Sequence, residues 1–376
     1  MGRSIRRGGA FAAALLLVVL VAGCSPARLG ESVTLLRALA SPGAGGAEAV
    51  ARRAVSFTVA GEPHAATLYT TPAARADLIL VPGPVPAGGA DPRLVAFAQT
   101  LARARFRVLV PELARMRALQ VSHADAAVLA GAARYLKAAA TSRPLGTTAV
   151  SFAVGPTVLA VDAGAPVDFV VAIGGYYDLE AAIAFFTTGY YRAAPGEPWR
   201  YREPNAYGKW VFVLSNATRL DDARDRDLLE RMARRRLADP SAAIAPLVAE
   251  LGPAGRAVHA LITNDDPERV PALIRRLPEG IRAEIDALNL TAVDFAAWAR
   301  RGVDAEFVLV HGRGDPVIPA TQSKALARAL GAERSRLYLV QGLGHVEPEG
   351  VGLAGSLQLL AATYRVLTLR DRGGAG

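Results

Sequence analysis

Two polar residues near the C-terminal end of the chain have the types and the spacing that acid–base chemistry needs. Asp315 comes just after the apolar run 305–312, and His345 comes just after the run 335–342. The interval between them has room for one helix and one strand, so we expect their loops to be neighbours at one edge of a sheet. A carboxylate that orients an imidazole produces a general base. The pair therefore predicts a catalytic dyad.

The elements that would position this pair alternate between strands and helices. Apolar runs predict strands at 54–61, 64–71, 76–83, 106–113, 147–152, 166–175, 305–312 and 335–342. Helical periodicity predicts helices at 91–106, 122–140, 155–163, 319–330 and 352–370, the first with Asp91 as its N-cap and Pro92 as its first residue. Most of these strands are apolar at nearly every position. We therefore predict an α/β fold with a mostly parallel sheet, helices on both faces and a leading hairpin of antiparallel edge strands.

The segment 176–303 interrupts this alternation. It has helical patterns and one short candidate strand at 211–214. We interpret the segment as a helical insertion above the strand ends, which is where open α/β sheets bind their ligands. The core is then predicted to comprise 51–175 and 304–372, and we expect a small-molecule ligand in the cleft beneath the insertion.

The stretches "HGRGDPVIP" (311–319) and "GLGH" (342–345) surround the two candidate residues. Together with the order of the elements, they resemble the α/β-hydrolase fold superfamily over about residues 54–370, with the insertion in the usual cap position. In that superfamily the nucleophile, the acid and the base follow one another as Ser, Asp and His. The resemblance implies that Asp315 is the acid and His345 the base. Some members carry the acid where Asp178 stands, but we interpret Asp178 as the N-cap of a helix at 179–186.

The superfamily's nucleophile position falls within "SFAVG" (151–155). Its motif, Gly-x-Ser-x-Gly, needs small residues at both ends because the strand and helix backbones pass close together there. Ser151 and Gly155 satisfy this requirement, which puts Ala153 at the centre, and alanine cannot act as a nucleophile. A frame centred on Ser151 has small ends too, but it shortens the strand and leaves Gly155 without a role. We therefore expect Ala153 at the nucleophile position, with Ser151 as the alternative nucleophile.

The superfamily also stabilises the oxyanion of the intermediate with backbone N–H groups. For the frame centred on Ala153, the resemblance implies the N–H of Val154 as one donor. The other would come from "VPGPVPAGG" (81–89), where Pro84 stands at the donor position and has no N–H, so we expect Val85 or Gly88 to donate instead. A lost nucleophile costs about 10⁶ in rate and a lost donor about 10² to 10³. This interpretation therefore predicts little serine-dependent hydrolysis.

The first 24 residues are typical of a secretory leader, with a basic start and an apolar run from 10 to 22. "LVAGC" (20–24) resembles the lipobox of bacterial lipoproteins, in which the cysteine becomes the lipidated N-terminus, and Cys24 is the only cysteine in the chain. We predict a signal peptide over 1–23, lipidation of Cys24 and a flexible tether over 24–50. The protein would then be anchored to a bilayer of the bacterial cell envelope, and Ser25 after the cysteine favours the outer membrane.

The composition is typical of a folded globular protein, with 52% hydrophobic and 20% charged residues in a chain of 376. The net charge is +9. Acidic and basic residues are interspersed without an aromatic–basic platform, so no nucleic-acid partner is predicted. Asp265 and Asp266 belong to "NDDPERV", an ordinary helix start, and no cluster has the spacing of metal ligands. We predict neither a metal site nor a cofactor.

Three functions are compatible with these observations. The first is a lipid-anchored α/β-hydrolase-fold protein that has lost the serine route and uses the Asp315–His345 dyad, or no chemistry, on a small ligand. The second is an active serine hydrolase of esters or amides with Ser151 as nucleophile. The third is a non-catalytic binding protein of the cell envelope.

Overall fold

The computed structural model describes residues 25–40, 49–139, 142–347 and 349–373. The predicted signal peptide and Cys24 lie outside these residues, so the predictions made for them remain predictions. Within the described ranges, no helix combines the length and the apolar character that crossing a membrane requires.

The centre of the molecule is an eight-stranded sheet. The strands, with the two short strands of the insertion, are β1 (Ala51–Val59), β2 (Glu62–Thr70), β3 (Ala76–Val81), β4 (Phe106–Pro111), β5 (Leu145–Val150), β6 (Phe169–Ile173), β7 (Tyr190–Tyr191), β8 (Arg200–Tyr201), β9 (Glu306–Gly312) and β10 (Ser335–Val340). Their order across the large sheet is β1-β2-β4-β3-β5-β6-β9-β10, and β7 pairs with β8 in a separate ribbon. In the large sheet, β2 is antiparallel to both neighbours and every other adjacent pair is parallel. The predicted parallel sheet and its leading hairpin are confirmed.

Helices cover both faces of this sheet and form most of the insertion. In chain order they are α1 (Pro26–Ala40), α2 (Pro92–Arg103), α3 (Ala114–Arg117), α4 (Asp125–Ala138), α5 (Val154–Asp162), α6 (Leu179–Thr188), α7 (Tyr207–Ala217), α8 (Ala223–Ala238), α9 (Ala245–Ala249), α10 (Pro253–Ile262), α11 (Val270–Ile274), α12 (Glu279–Leu288), α13 (Thr321–Leu330) and α14 (Leu353–Arg370). The carboxylate of Asp91 caps α2 as predicted, because it accepts hydrogen bonds from the N–H groups of Arg93 and Leu94.

Strand β3 shows why the central strands are apolar at successive positions. All of its residues are buried. Leu78 and Leu80 pack into the core on one face of the sheet, whereas Ile79 and Val81 pack into the core on the other. A strand that is covered on both faces has no solvent side, so the period of two is absent from its sequence.

The insertion between β6 and β9 forms a cap of helices α6 to α12 with the small β7–β8 ribbon. The predicted strand at 211–214 is wrong, because these residues lie in α7 and are buried. A short apolar run cannot be assigned to strand or helix by periodicity when the element is buried on all sides. Here the residues pack as a helix, α7, against α8 and α6 inside the cap, and this packing favours the helix over a strand.

The prediction of a flexible tether over 24–50 is wrong for residues 26–40, which form α1. This helix packs against α14 and α2. Leu35 enters the core, and the carboxylate of Glu31 lies 2.6 Å from the guanidinium of Arg370, a side chain with only 1% exposure. The N–H of Ser25 donates to the hydroxyl of Tyr364 at 3.0 Å. The composition of residues 26–40 is therefore a poor guide to their structure, because a few apolar and charged contacts hold them to the core.

Candidate active site

Ser151 occupies the turn between β5 and α5. Strand β5 ends at Val150, residues Ser151–Ala153 form one turn of 3₁₀-helix, and α5 follows. The φ angle of Ser151 is +59°. Residues other than glycine rarely adopt this left-handed backbone conformation, and those that do are often found at functional sites. In the α/β-hydrolase fold that the sequence resembles, the nucleophile lies at a strained turn from strand to helix.

The expectation that Ala153 occupies the nucleophile position is wrong. Ala153 has an ordinary helical φ of −67° and is fully buried. Its methyl group is instead the small end of a frame centred on Ser151, with Ala149 at the other end. The turn comes two residues earlier than the preferred frame requires, because Val150 is the last residue of the strand.

The side chains of Ser151, His345 and Asp315 form a continuous hydrogen-bonded chain. The Oγ of Ser151 lies 2.6 Å from Nε2 of His345. Nδ1 of the same imidazole lies 2.7 Å from Oδ2 of Asp315. When Nδ1–H donates to the carboxylate, Nε2 is left to accept the proton of the serine hydroxyl. The predicted juxtaposition of Asp315 and His345 is confirmed, and the serine completes the arrangement.

Asp315 is held ionised although its side chain is completely buried. Its Oδ1 accepts the N–H groups of Val317 at 2.8 Å and Ile318 at 2.9 Å. Nε2 of His311 lies 3.2 Å from Oδ2. Burial alone would raise the pKa of Asp315, but the hydrogen bonds from His311 and His345 outweigh it and hold the pKa well below its ordinary value. The carboxylate can therefore stabilise a positive charge on the imidazole at any ordinary pH.

His311 is a part of this site that the sequence did not reveal. Its Nδ1 lies 2.7 Å from the hydroxyl of Ser323, and its Nε2 lies 2.8 Å from the carbonyl oxygen of Ile318. The imidazole is completely buried and fixes the loop that carries Asp315. A histidine at a strand end, four residues before the acid, was the available signal.

Two glycines make room for the turn. A Cβ on Gly83 would lie 3.2 Å from both the Cβ of Ser151 and the carbonyl oxygen of Val150. A Cβ on Gly155 would lie 1.9 Å from the hydroxyl oxygen of Tyr176, a core residue beneath the cap. The Tyr176 side chain therefore accounts for the glycine at position 155. Gly155 need not belong to the five-residue motif around the nucleophile.

Comparison with solved structures identifies the architecture, whereas no family model and no curated protein matches the chain. A putative hydrolase from Legionella pneumophila aligns with a TM-score of 0.53 and 12% identity, over 92% of this chain and 96% of the other. A puromycin-hydrolysing peptidase from Mycobacterium tuberculosis aligns with a TM-score of 0.50 and 13% identity, over 87% of this chain but only 40% of the peptidase. A 2,6-dihydroxy-pseudo-oxynicotine hydrolase aligns with a TM-score of 0.50 and 10% identity, over 86% and 68%. The chain has the α/β-hydrolase fold. Identities this low show the fold alone, not the reaction.

The oxyanion donors predicted for this fold need correction. The N–H of Val154 points to the carbonyl oxygens of Ser151 and Phe152, within the helical turn. The N–H of Val85 donates to the carbonyl oxygen of Met116 at 3.2 Å. Neither group is free for a ligand. With Ser151 at the centre of the turn, the residue that follows it is Phe152.

The loop after β3 receives a contact from the cap. The hydroxyl of Tyr207, at the start of α7, donates to the carbonyl oxygen of Pro84. This hydroxyl group is largely buried, which raises the pKa of Tyr207 to about 12. It is therefore a neutral donor at ordinary pH, beside the position where Pro84 lacks an N–H.

Two other sequence interpretations concern carboxylates outside the triad. Asp178 caps α6 as predicted, because its side chain accepts the N–H of Ala181 at 3.1 Å. Asp266 caps the 3₁₀ turn 267–269 by accepting the N–H of Glu268 at 2.9 Å. Among the described residues, no group of three or more His, Cys, Asp and Glu side chains is placed to hold a metal ion.

Proposed function

We propose that the protein is a serine hydrolase that cleaves ester or amide bonds in small molecules. The observation that carries this proposal is the chain of short contacts from Ser151 through His345 to Asp315. The strained backbone of Ser151 supports it, since it presents the side chain at the strand ends, where α/β sheets bind ligands. The proposal replaces the degenerate dyad expected from the frame centred on Ala153.

The geometry supports a two-step reaction. His345 takes the proton of the Ser151 hydroxyl as the oxygen attacks the carbonyl carbon, and Asp315 stabilises the imidazolium that forms. The proton then passes from His345 to the departing alcohol or amine, and the acyl group stays on Ser151. Water repeats the sequence, releases the acid and restores the hydroxyl. The N–H of Phe152 is the proposed donor to the oxyanion in both steps.

We propose Tyr207 as the second oxyanion donor. Pro84 stands where the fold ordinarily provides a backbone N–H, and the Tyr207 hydroxyl reaches the same residue from the cap. A hydroxyl can turn its single proton from the Pro84 carbonyl to a developing negative charge. Donors aimed at that charge in a site screened from water contribute strongly to the rate.

Labelling with a fluorophosphonate tests the nucleophile directly. The soluble chain 25–376 should be labelled, and the label should be lost in both Ser151→Ala and His345→Ala. Ser56→Ala and His64→Ala are the matched controls, because both residues lie in the edge hairpin and should leave labelling unchanged. A folded wild-type protein that takes no label would refute the proposal and return attention to a non-catalytic binding protein.

The leader supports a second proposal about location. We propose that Cys24 carries a lipid that anchors the protein to a bilayer of the bacterial cell envelope, with the outer membrane as the favoured site. The lipobox resemblance is its support. The full-length chain should sediment with membranes and Cys24→Ser should not, when both are expressed in a bacterium and fractionated. Retention of Cys24→Ser in the membrane fraction would contradict lipid anchoring.

A further inference from the structure

Helix α14 presents an apolar face to solvent over its first turns. Leu353 is 79% exposed and Leu357 is 57% exposed. Each residue advances by about 100° around an α-helix, so Leu360 and Tyr364 lie on the same side as these two leucines, within about 60°. No charged residue occurs in 353–364. Surface helices ordinarily turn polar or charged side chains to water, and this face, the apolar stripe (Leu353, Leu357, Leu360 and Tyr364), does the opposite.

Most of the exposed large apolar side chains among the described residues lie in α14 or in a segment next to it. Besides the two leucines, Val346 is 41% exposed in the loop that leads into α14, and Leu29 is 42% exposed in α1, which packs on α14. The one elsewhere is Tyr201 of the cap. Single exposed apolar residues are normal, whereas a group of them indicates contact with a partner or a membrane.

The start of α1 lies at the end of the apolar stripe. The N–H of Ser25 donates to the hydroxyl of Tyr364 at 3.0 Å, and the guanidinium of Arg28 lies 5.7 Å from the centroid of the same ring. One turn later in α1, Glu31 pairs with Arg370, farther along α14. Helix α1 therefore runs from Tyr364 toward the C-terminal end of α14. The chain that precedes Ser25 leaves the fold beside the stripe.

We propose that the apolar stripe is the surface on which the protein rests on a lipid bilayer. The proposal rests on the proposed lipid anchor, because Cys24 directly precedes Ser25 and its acyl chains would enter the bilayer beside the Tyr364 end of the stripe. Apolar side chains of a surface helix insert at the boundary between headgroups and acyl chains, and they add to the binding of a lipid anchor. Leu353 and Leu357 lose their contact with water there, which favours this orientation over free rotation about the anchor.

Quenching of a fluorophore by the bilayer tests this orientation. Cys24 is the only cysteine of the chain, and in the lipidated protein its sulfur is bonded to lipid, so an introduced cysteine is the one free thiol. Ala361→Cys places that thiol on the exposed side of α14, one turn beyond Leu357, and keeps both leucines. The mature, lipidated full-length protein carries a nitrobenzoxadiazole label there. It is reconstituted in vesicles of phosphatidylethanolamine and phosphatidylglycerol, with a nitroxide on some of the acyl chains.

Ser56→Cys is the matched control, because Ser56 is exposed in β1, at the opposite edge of the sheet from β10, against which α14 packs. The nitroxide should quench the label at position 361 at least about twice as strongly as the label at position 56. Adding Leu353→Asp and Leu357→Asp to the Ala361→Cys chain should lower its quenching to the level of the control. Sedimentation with the vesicles should not change, since the lipid on Cys24 remains.

The other outcomes would overturn the inference. Equal quenching at positions 361 and 56, or quenching that survives the two aspartates, would mean that the stripe does not face the bilayer. A wild-type dimer in detergent that the aspartates abolish would assign the stripe to a second copy of the chain. Thiol labelling of a chain without an introduced cysteine would show a free Cys24 and remove the anchor. Fluorophosphonate labelling of Ser151 in the same preparations reports the proposed hydrolase function separately, and the aspartate variant should retain it.

Discussion

Ser151 combines an unfavourable backbone with a favourable side-chain position. A left-handed conformation costs a residue other than glycine about 1 to 2 kcal/mol. The surrounding structure enforces it: the parallel pairing of β5 brings the chain to the strand end, and Gly83 leaves room for the turn. No comparable strain exists at Ala153. The side chain at position 151 therefore points to His345 because of the backbone, not because serine itself prefers the turn.

Exchanging the two residues tests this argument at the residue scale. Ser151→Ala should lower kcat by about 10⁶, toward the residual rate that binding and the oxyanion donors provide. Adding Ala153→Ser to this variant should restore nothing, since the position 153 side chain is buried in a helical turn. Active-site titration and steady-state kinetics check both. Recovered activity in the double variant would mean that the turn can shift by two residues.

Asp125 is a buried carboxyl group that affects the stability of the fold and has no part in the proposed reaction. Its side chain is 2% exposed, its Oδ2 has no partner among the described residues, and Arg115 lies 3.4 Å from Oδ1. Burial raises the pKa of Asp125 from 3.8 to about 6, against the opposing charge of Arg115. The folded state therefore retains a proton that the unfolded state has lost between about pH 4 and pH 6. Over that interval this group's contribution to stability falls as the pH rises.

Asp125→Asn should remove this cost. Above pH 6 the variant should gain up to about 3 kcal/mol of unfolding free energy over the wild type, less the contribution of the half-exposed Arg115. Near pH 3 the gain should be nearly gone, because the carboxyl group is then mostly protonated in both states of the wild type. Urea unfolding at pH 3, 5 and 8 measures the difference. A difference that does not change with pH would contradict the raised pKa.

At the scale of elements, the proposed site combines the cap with the loop after β3. Helix α7 supplies the Tyr207 hydroxyl to the Pro84 carbonyl. The turn after β5 supplies Ser151, the proposed nucleophile. The cap is therefore part of the proposed active site through Tyr207, and its amino-acid sequence should influence the rate.

Tyr207→Phe tests the cap's share in the rate. If the hydroxyl stabilises the oxyanion, kcat should fall by about 10²-fold while KM changes little, because the donor acts on a charge that exists only in the transition state. Tyr135→Phe is the control, since Tyr135 packs beside the edge hairpin, away from the site. Unchanged kcat in Tyr207→Phe would leave Tyr207 with the single task of fixing the Pro84 loop.

At the scale of the whole molecule, the first helix, α1, packs against α14 and α2. Helix α1 covers α14, and Glu31 pairs with the buried guanidinium of Arg370, which also contacts Asp371 and the Ala104 carbonyl. Only Ser25 separates Cys24 from the first residue of α1 in the sequence, so the proposed lipid would be attached within two residues of a packed helix. An anchored protein would then be held near the bilayer.

Removing α1 should destabilise the protein by about 2 kcal/mol or more. The loss would come from the exposed apolar surface around Leu35 and from an Arg370 that no longer pairs with Glu31. A chain that begins at residue 42 should unfold at lower urea than one that begins at residue 25. Equal midpoints would mean that the helix is dispensable and that a tether describes this segment adequately.

The sequence alone determined the alternation of strands and helices, the position of the cap and the acid–base pair. These features depend on local composition: apolar runs mark buried strands, and Asp315 and His345 follow consecutive strands, whose ends must meet at one edge of a parallel sheet. The sequence also contained both candidate frames for the nucleophile. It could not choose between them, because the choice depends on where β5 stops pairing with β3 and β6.

Tertiary structure decided the nucleophile, the oxyanion donors and the first helix. Gly155 suggested the wrong frame because its partner, the Tyr176 hydroxyl, is distant in the chain. The N–H groups of Val154 and Val85 were excluded by carbonyl acceptors that only the folded backbone brings near. Residues 211–214 became helix, and residues 26–40 became an ordered element, through packing against partners elsewhere in the chain. Contacts between distant residues settle such questions, and a local pattern does not record them.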